Sequence, residues 1–178
     1  MPASVPAVPL EQMLAARERR AARQAAALTC FGRPLISITI VTPGPVKDGM
    51  LPRRVLSEAL LAVDVMCRIR KWPVLSREVS WLDTGPEALY SLRVDSRRLK
   101  SATVKLEDRH PLGRLWDLDV VAPGPRVLSR KELGFQARAC LVCERPAFEC
   151  GRSRRHPLAE LLTAMKRIVD EHDRCMRR

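Results

Sequence analysis

Aromatic residues are scarce in this 178-residue chain, at 4% of the total. Proteins that bind single-stranded nucleic acid stack the bases on aromatic side chains, so we expect no nucleic-acid partner. No segment approaches the roughly 18 consecutive apolar residues of a membrane-spanning helix, and residues 1–9 lack the basic and apolar segments of a secretory signal. We therefore expect a cytoplasmic protein with no membrane contact, whose six cysteines are reduced thiols or metal ligands.

Three common motifs of phosphate and ester chemistry are also missing. The sequence contains no G-x-x-x-x-G-K-S/T, G-x-G-x-x-G or G-x-S-x-G pattern. These absences argue against P-loop, dinucleotide-binding and α/β-hydrolase sites. Positive charge, in contrast, is abundant, since 32 Lys and Arg residues against 20 Asp and Glu residues give a net charge of +12. Such an excess attracts anionic partners, such as a phosphorylated cofactor or an acidic protein.

The hydrophobic pattern predicts alternating helices and strands. Helices are expected over residues 9–28, 52–70, 96–110 and 158–172. Strands are expected over residues 35–41, 74–82, 88–94 and 115–121. Residues 1–8 are expected to be frayed, and residues 9–178 to form one domain with a cysteine-rich loop segment at 138–157. The expected fold class is α+β or α/β, a single domain with a mixed sheet flanked by helices.

The sequence HPLGRLWDLDV, residues 110–120, places two carboxylates at alternating positions of a predicted strand. Asp117 and Asp119 would lie on one face, because side chains two positions apart in a strand do so. Two adjacent carboxylates repel each other unless a cation lies between them, and magnesium held together with substrate phosphates is a common solution. Solvated acids on a half-buried strand are the simpler alternative.

The residues just before these carboxylates suit a phosphate. Gly113 would allow a close approach of the backbone, and Arg114 could bind a phosphate through two parallel hydrogen bonds. The alternating Asp pattern is also similar to the nucleotidyltransferase superfamily, although the Gly-Ser pair that this superfamily places earlier is missing here. A nucleotidyltransferase-like fold is therefore suggested by the Asp pattern alone.

Three cysteines and a histidine are clustered in CLVCERPAFECGRSRRH, residues 140–156. Together, Cys140, Cys143, Cys150 and His156 could complete a tetrahedral zinc site. A redox C-x-x-C pair is one alternative, although Cys143 precedes a loop sequence instead of opening a helix. Plain reduced thiols in a turn region are the other alternative.

Isolated basic residues near turns are further candidates. Arg152 and Arg154 precede a predicted helix and could bind phosphates, with a solvated basic loop as the alternative. Lys47 follows the Pro-Gly-Pro sequence at 43–45, beyond a buried strand, where ligands often bind. A surface lysine is the simpler interpretation of this position.

Three segments together resemble one family. They are TPGPVK at 42–47, KSATVKLEDRHPLGRLWDLDV at 100–120 and LSRKELGFQARACLVCERPAFECGRSRRH at 128–156. These segments are similar to the holo-citrate lyase synthase family, also called apo-citrate lyase phosphoribosyl-dephospho-CoA transferase. The segment LEQMLAARERRAARQAAAL fits the first helix of that family, so the similarity spans nearly the whole chain.

The resemblance implies a reaction. A serine hydroxyl on the acyl carrier protein subunit of apo-citrate lyase would attack triphosphoribosyl-dephospho-CoA, forming a phosphodiester and releasing pyrophosphate. The residues carried over from the matching motifs are His110, Gly113, Arg114, Asp117, Asp119 and Lys47.

The chemistry of these side chains suggests their roles. Asp117 and Asp119 would hold Mg²⁺, and His110 would deprotonate the acceptor serine or just cap its helix. The cations expected to neutralise the triphosphate are Arg114, Lys47 and Arg154. The alternatives are the related transferase for the malonate decarboxylase carrier protein and a zinc-containing binding module. Only a binding module should tolerate neutral residues at 117 and 119.

Overall fold

The computed structural model describes residues 6–177, which form five α-helices and five β-strands. The helices are α1 (Leu10–Phe31), α2 (Met50–Arg70), α3 (Ser96–Arg109), α4 (Ala147–Ser153) and α5 (Leu158–Met176). The strands are β1 (Leu35–Ile40), β2 (Val74–Leu82), β3 (Gly85–Leu92), β4 (Trp116–Ala122) and β5 (Arg126–Leu128). Every predicted helix and strand is present, with ends within four residues of those predicted. The periodicity does not predict α4 and β5, which are too short to show it.

The chain before α1 is tied to the rest of the fold. Of the segment expected to be frayed, residues 1–5 lie outside the described residues. Residues 6–9 have no regular secondary structure, but the backbone N–H of Val8 donates to the carbonyl of Pro45 at 2.9 Å. This hydrogen bond joins the start of the described chain to the loop that follows β1.

The strands form one sheet in the order β2-β3-β1-β4-β5, and every adjacent pair is antiparallel. The predicted α+β class is therefore confirmed, but the expected mixture of parallel and antiparallel pairs is not found in residues 6–177. The reason lies in the two helical crossovers. Helix α2 joins β1 to β2 and α3 joins β3 to β4, and in each case a third strand lies between the two that are joined. The central strand β1 is thus flanked by β3 and β4.

Helices α2, α3 and α5 cover one face of the sheet and bury the main hydrophobic core. Alternate residues of each strand point to this face, and Ile36, Tyr90 and Trp116 are fully buried there. The indole N–H of Trp116 donates to the carbonyl of Val55 in α2 at 3.1 Å, which satisfies its buried polar atom. Within residues 6–177, no helix combines the length and the apolar character needed to cross a bilayer.

Helix α1 packs on the opposite face of the sheet. A smaller apolar cluster joins this helix to the sheet through Leu28, Leu35, Leu89 and Val121. Nearer the start of α1 the same face is charged, and the guanidinium of Arg20 forms an ion pair with Glu87 of β3 at 2.7 Å. One end of the interface between α1 and the sheet is therefore apolar, and the other end carries charged side chains.

The outer edge of β4 is completed by side chains of α3. Strand β5 pairs only with residues 120–122, which leaves the backbone of Leu118 without a neighbouring strand on that side. Its N–H donates to Glu107 Oε1 at 2.7 Å, and its carbonyl accepts from Lys100 Nζ at 3.2 Å. Both α3 residues are buried. These contacts satisfy the backbone polar groups of Leu118 and hold the strand in place.

Candidate active site

The two carboxylates of β4 lie on the face of the sheet that α1 covers. Asp117 is paired across the sheet with Thr39 of β1, and Asp119 with Ser37. Their side chains are 45% and 49% exposed, whereas Leu118 between them is buried on the opposite face. The pattern of alternation predicted from the sequence therefore places both carboxylates side by side and accessible to a ligand.

The carboxylates are only partly compensated by nearby cations. Burial and the neighbouring Asp117 raise the pKa of Asp119 above its ordinary value. The guanidinium of Arg138 lies 3.3 Å from Asp117 Oδ1, and Lys100 Nζ lies 3.9 Å from Asp119 Oδ1. The two neighbouring carboxylates disfavour each other's negative charge, and their oxygens are accessible on one face of the sheet. Such a site fits a divalent cation that is held together with phosphates.

A cavity of about 330 Å³ lies beside Asp117, between the start of α1 and the loop that follows β1. Its cations are Arg17, Arg20 and Lys47, so we call it the cationic cavity. Burial lowers the pKa of Arg20, although the charges of Asp117 and Asp119 oppose this effect. Burial and the charge of Arg17 lower the pKa of Lys47. These cations make the cavity suited to a polyanion.

Lys47 points its ammonium group into the loop after β1. Its Nζ donates to the carbonyl of Thr42 at 2.7 Å, and no carboxylate of residues 6–177 forms an ion pair with it. In contrast, Arg20 of the same cavity is already paired with Glu87. Lys47 is thus positioned to neutralise a ligand without first breaking a salt bridge.

A second cavity, of about 990 Å³, lies on the other side of the loop 41–45 and is here called the large cavity. Its walls come from that loop, from the cysteine-rich segment and from the start of α5. Arg114, Arg138 and Arg154 line it together with apolar side chains. The two cavities share Val41 and Thr42, so they adjoin each other.

Gly113 and Arg114 form part of a short turn before β4. A Cβ atom at Gly113 would lie 2.1 Å from the carbonyl oxygen of Glu107, so only glycine allows this approach. Gly113 thus makes a close backbone contact with α3, and the approach to a phosphate that we expected there stays a prediction. Arg114 faces the large cavity and donates to the carbonyl of Ala139. Burial and the charges of Arg138 and Arg130 lower its pKa.

Arg138 links the carboxylates to the cysteine-rich segment. Its guanidinium donates to Glu107 as well as to Asp117, and it also lines the large cavity. No local pattern in the sequence singles out Arg138, because its partners lie 31 and 21 positions earlier in the chain. The one available signal is its place two residues before Cys140, inside a segment that carries the family resemblance.

His110 lies apart from the two carboxylates. Its ring packs on Trp116, with the centroids 4.3 Å apart, and Trp116 projects from the opposite face of β4. The ring Nδ1 accepts from the backbone N–H of Leu112 at 3.1 Å. Burial and the charge of His172 lower the pKa of His110. The structure thus places this imidazole where it braces the turn, and does not bring it to Asp117 or Asp119.

The four residues of the cysteine cluster come together in space. One ligand atom from each of Cys140, Cys143, Cys150 and His156 lies within 4.8 Å of the others, so the cluster could hold a metal ion. Cys143 Sγ is 3.6 Å from Cys150 Sγ and 3.3 Å from His156 Nε2. The other ring nitrogen of His156 lies 3.4 Å from the carboxylate of Glu160.

The thiols of the cluster have different environments. Burial raises the pKa of Cys150 to about 11, and the thiols of Cys143 and Cys140 add to this effect. Burial also acts to raise the pKa of Cys140, but hydrogen bonds from the backbone N–H groups of Val142 and Cys143 lower it below its ordinary value. Backbone N–H groups aimed at a sulfur stabilise the thiolate form, which is the form that ligates metals.

The two candidate arginines after the cysteines have different positions. Arg154 ends α4 in the left-handed conformation, with φ 45°, and lines the large cavity. Arg152 is exposed on α4 and lines neither cavity. Of the predicted phosphate-binding cations, Arg114 and Arg154 therefore face the large cavity and Lys47 faces the cationic cavity.

Known proteins match this chain over nearly its whole length. A family model described as apo-citrate lyase phosphoribosyl-dephospho-CoA transferase matches residues 8–172. A curated relative of that name from Citrobacter koseri is 40% identical over 167 residues, covering 94% of this chain and 91% of the relative. Relatives of the same name from Escherichia coli and Shigella flexneri are 38% identical over 173 residues, covering 97% of this chain and 94% of each relative. The predicted resemblance is confirmed, and the chain belongs to the apo-citrate lyase phosphoribosyl-dephospho-CoA transferase family.

Proposed function

We propose that this protein transfers the phosphoribosyl-dephospho-CoA group from its triphosphate precursor to a serine of the citrate lyase acyl carrier protein. The serine oxygen attacks the first phosphate of the triphosphate, a phosphodiester bond forms, and pyrophosphate leaves. The observation that carries the proposal is the pair of carboxylates, Asp117 and Asp119, on one face of β4, inside the stretch that the family model matches; Asp117 also lines the cationic cavity.

The carboxylates and the cations near them would bind the triphosphate in different ways. Asp117 and Asp119 would hold magnesium, which supplies charge neutralisation at the phosphate oxygens of the reacting and leaving groups. Lys47, Arg17 and Arg20 add positive charge in the cationic cavity, where partial burial strengthens each ion pair with a phosphate. Val41 and Thr42 line both cavities, so the donor would pass these two residues where it extends from one cavity to the other.

His110 has a supporting role in this proposal. Its contacts with Trp116 and the Leu112 backbone hold the turn that leads into β4, so the imidazole positions the carboxylates from behind the sheet. The acceptor serine would then be deprotonated by a group on the face of the sheet where the carboxylates lie.

The cysteine cluster is proposed to hold one structural zinc ion. Four ligands with no open position are typical of structural sites, and a carboxylate on the second nitrogen of a ligating histidine is a common supporting contact. Glu160 supplies that carboxylate. Zinc there would order the segment that carries Arg138 and Arg154. A cytoplasmic location, which we also propose, would keep the thiols reduced and able to ligate zinc.

A transfer assay tests the proposed function directly. The purified protein is mixed with triphosphoribosyl-dephospho-CoA, magnesium and apo-citrate lyase acyl carrier protein, and the intact mass of the carrier is measured. We expect a mass increase of one phosphoribosyl-dephospho-CoA group, with loss of activity in excess EDTA. Matched reactions contain ATP in place of the donor, or the malonate decarboxylase carrier protein in place of the acceptor. Labelling by ATP alone, or faster labelling of the malonate decarboxylase carrier, contradicts the proposal.

A further inference from the structure

The large cavity combines apolar walls with a few cations. Leu141, Leu158 and Leu161 supply apolar surface, and Arg114 and Arg154 supply charge. Its volume of about 990 Å³ is three times that of the cationic cavity, at about 330 Å³. Sites with mostly apolar walls and a small number of placed polar groups bind organic ligands that carry an anionic group, whereas a bare polyanion prefers a cationic surface.

The large cavity lies next to the proposed reaction site. It adjoins the cationic cavity along Val41 and Thr42. Arg138 lines the large cavity and also lies 3.3 Å from Asp117 Oδ1. A single long ligand can therefore place one end at the carboxylates and the other end in the large cavity.

We infer that the large cavity binds the dephospho-CoA end of the donor, while the cationic cavity binds its triphosphate. This inference rests on the proposed function, which requires a donor with two chemically different ends. Arg114 and Arg154 pair with the diphosphate of dephospho-CoA, and the leucine side chains contact the uncharged pantetheine arm and the adenine ring. The smaller, cationic cavity cannot enclose a dephospho-CoA moiety.

Two partial ligands separate the two cavities experimentally. Dephospho-CoA lacks the triphosphate, and inorganic tripolyphosphate lacks everything else. Binding of each to the full-length protein is measured by calorimetry. Leu158→Glu introduces a carboxylate into the large cavity and should weaken dephospho-CoA binding at least about ten-fold, with tripolyphosphate binding unchanged. Lys47→Met should give the opposite pattern.

Leu162→Glu is the matched control. Leu158 and Leu162 are one turn apart on α5 and are 42% and 44% exposed, but only Leu158 lines the large cavity. We expect Leu162→Glu to bind both ligands like the wild type. Arg154→Gly is a second variant, since glycine accepts the left-handed backbone at that position, and it should also weaken dephospho-CoA binding selectively. Melting temperatures confirm that each variant is folded.

The outcomes distinguish this inference from the proposed function. Two results would overturn the inference even if carrier labelling proceeds normally. One is that the wild-type protein does not bind dephospho-CoA. The other is that the dephospho-CoA affinity is equal in Leu158→Glu, Arg154→Gly and Leu162→Glu. If Leu158→Glu weakens carrier-protein binding and leaves dephospho-CoA binding unchanged, the cavity is a carrier-docking surface and the inference is wrong. A failure of carrier labelling by the authentic donor, with selective dephospho-CoA binding intact, contradicts the proposed function alone.

Discussion

Removal of the Glu107 carboxylate should destabilise the protein more than any surface charge change nearby. The side chain of Glu107 is 2% exposed and forms ion pairs with Arg130 at 2.6 Å and with Arg138. It also accepts the N–H of Leu118, which has no strand partner on that side. Glu107→Ala therefore removes one of two carboxylate partners from each guanidinium group and leaves one buried N–H without its acceptor.

The size of the effect follows from these contacts. Breaking a buried ion pair from one side costs about 3–5 kcal/mol, and an unsatisfied buried N–H costs about 1–3 kcal/mol. The two costs overlap, and both arginines keep some contact with water, so we expect a loss of about 4 kcal/mol in the free energy of unfolding. For a chain of this size, that corresponds to a fall of roughly 10 °C in melting temperature.

Asp108→Asn is the control for this prediction. Asp108 also binds Arg130, at 2.8 Å, but its side chain is 51% exposed, so its loss should cost less than about 1 kcal/mol. Urea unfolding followed by tryptophan fluorescence measures both changes, because Trp116, one of the three tryptophans, is fully buried. Equal destabilisation by the two variants would refute the argument that Glu107 holds the edge of β4.

The carboxylates, the Gly113 turn and the cysteines each allow a separate test. Asp117→Asn and Asp119→Asn should each lower the rate of carrier labelling by at least about a hundred-fold, because a neutral amide is a poor ligand for a divalent cation. Because burial raises the pKa of Asp119, its ionised form destabilises the fold, so Asp119→Asn should raise the melting temperature at neutral pH. That gain should shrink as the pH falls through the carboxyl's range, since the native side chain then becomes neutral as well. Gly113→Ala should lower the free energy of unfolding by about 2–4 kcal/mol, measured in urea, because its Cβ would lie 2.1 Å from the Glu107 carbonyl oxygen. Protein purified without added metal should contain one zinc per chain by elemental analysis, and Cys143→Ser should lose zinc and melt at a lower temperature.

Each of these tests has an outcome that contradicts it. Near-normal labelling by either asparagine variant would remove the carboxylates from the reaction. A melting temperature of Asp119→Asn that stays below the wild type at neutral pH would show that the Lys100 contact outweighs burial. Gly113→Ala with wild-type stability would mean that the turn relaxes freely. Substoichiometric zinc, together with a melting temperature unaffected by a strong chelator, would leave the cysteines as ordinary thiols.

The sequence predicts the parts of the site that depend on local periodicity. Asp117 and Asp119 share a face because strand side chains alternate, and that rule needs no knowledge of neighbouring strands. The alternation also predicts the burial of Leu118 between them. The gap of two residues between Cys140 and Cys143 similarly indicates a metal cluster, because both sulfurs can face one point from a tight turn.

The contacts between distant segments could not be predicted. Arg138 meets Asp117 and Glu107 only because β4 packs against α3, and no spacing within the sequence signals this arrangement. The position of the His110 side chain could not be predicted either. Its place in the HPLGR sequence, a few residues before the carboxylates, suggests that it acts beside them. Its ring instead follows Trp116 to the opposite face of the sheet. Strand order is likewise a property of the whole chain, so the insertion of β1 between β3 and β4 is not visible in the local pattern.

The central position of β1 has a consequence for the synthesis of the protein in the cell. This strand emerges early from the ribosome, yet both of its partners, β3 and β4, come later in the chain. At about 5–20 residues per second, the apolar LISITI segment waits several seconds before β4 is available to pair with it. Both of its edges are unpaired until β3 emerges, and one edge stays unpaired until β4 does, which makes the nascent chain a substrate for chaperones that bind extended apolar segments. Slowing translation between residues 41 and 115 should therefore lower the yield of folded protein more than slowing it after residue 128.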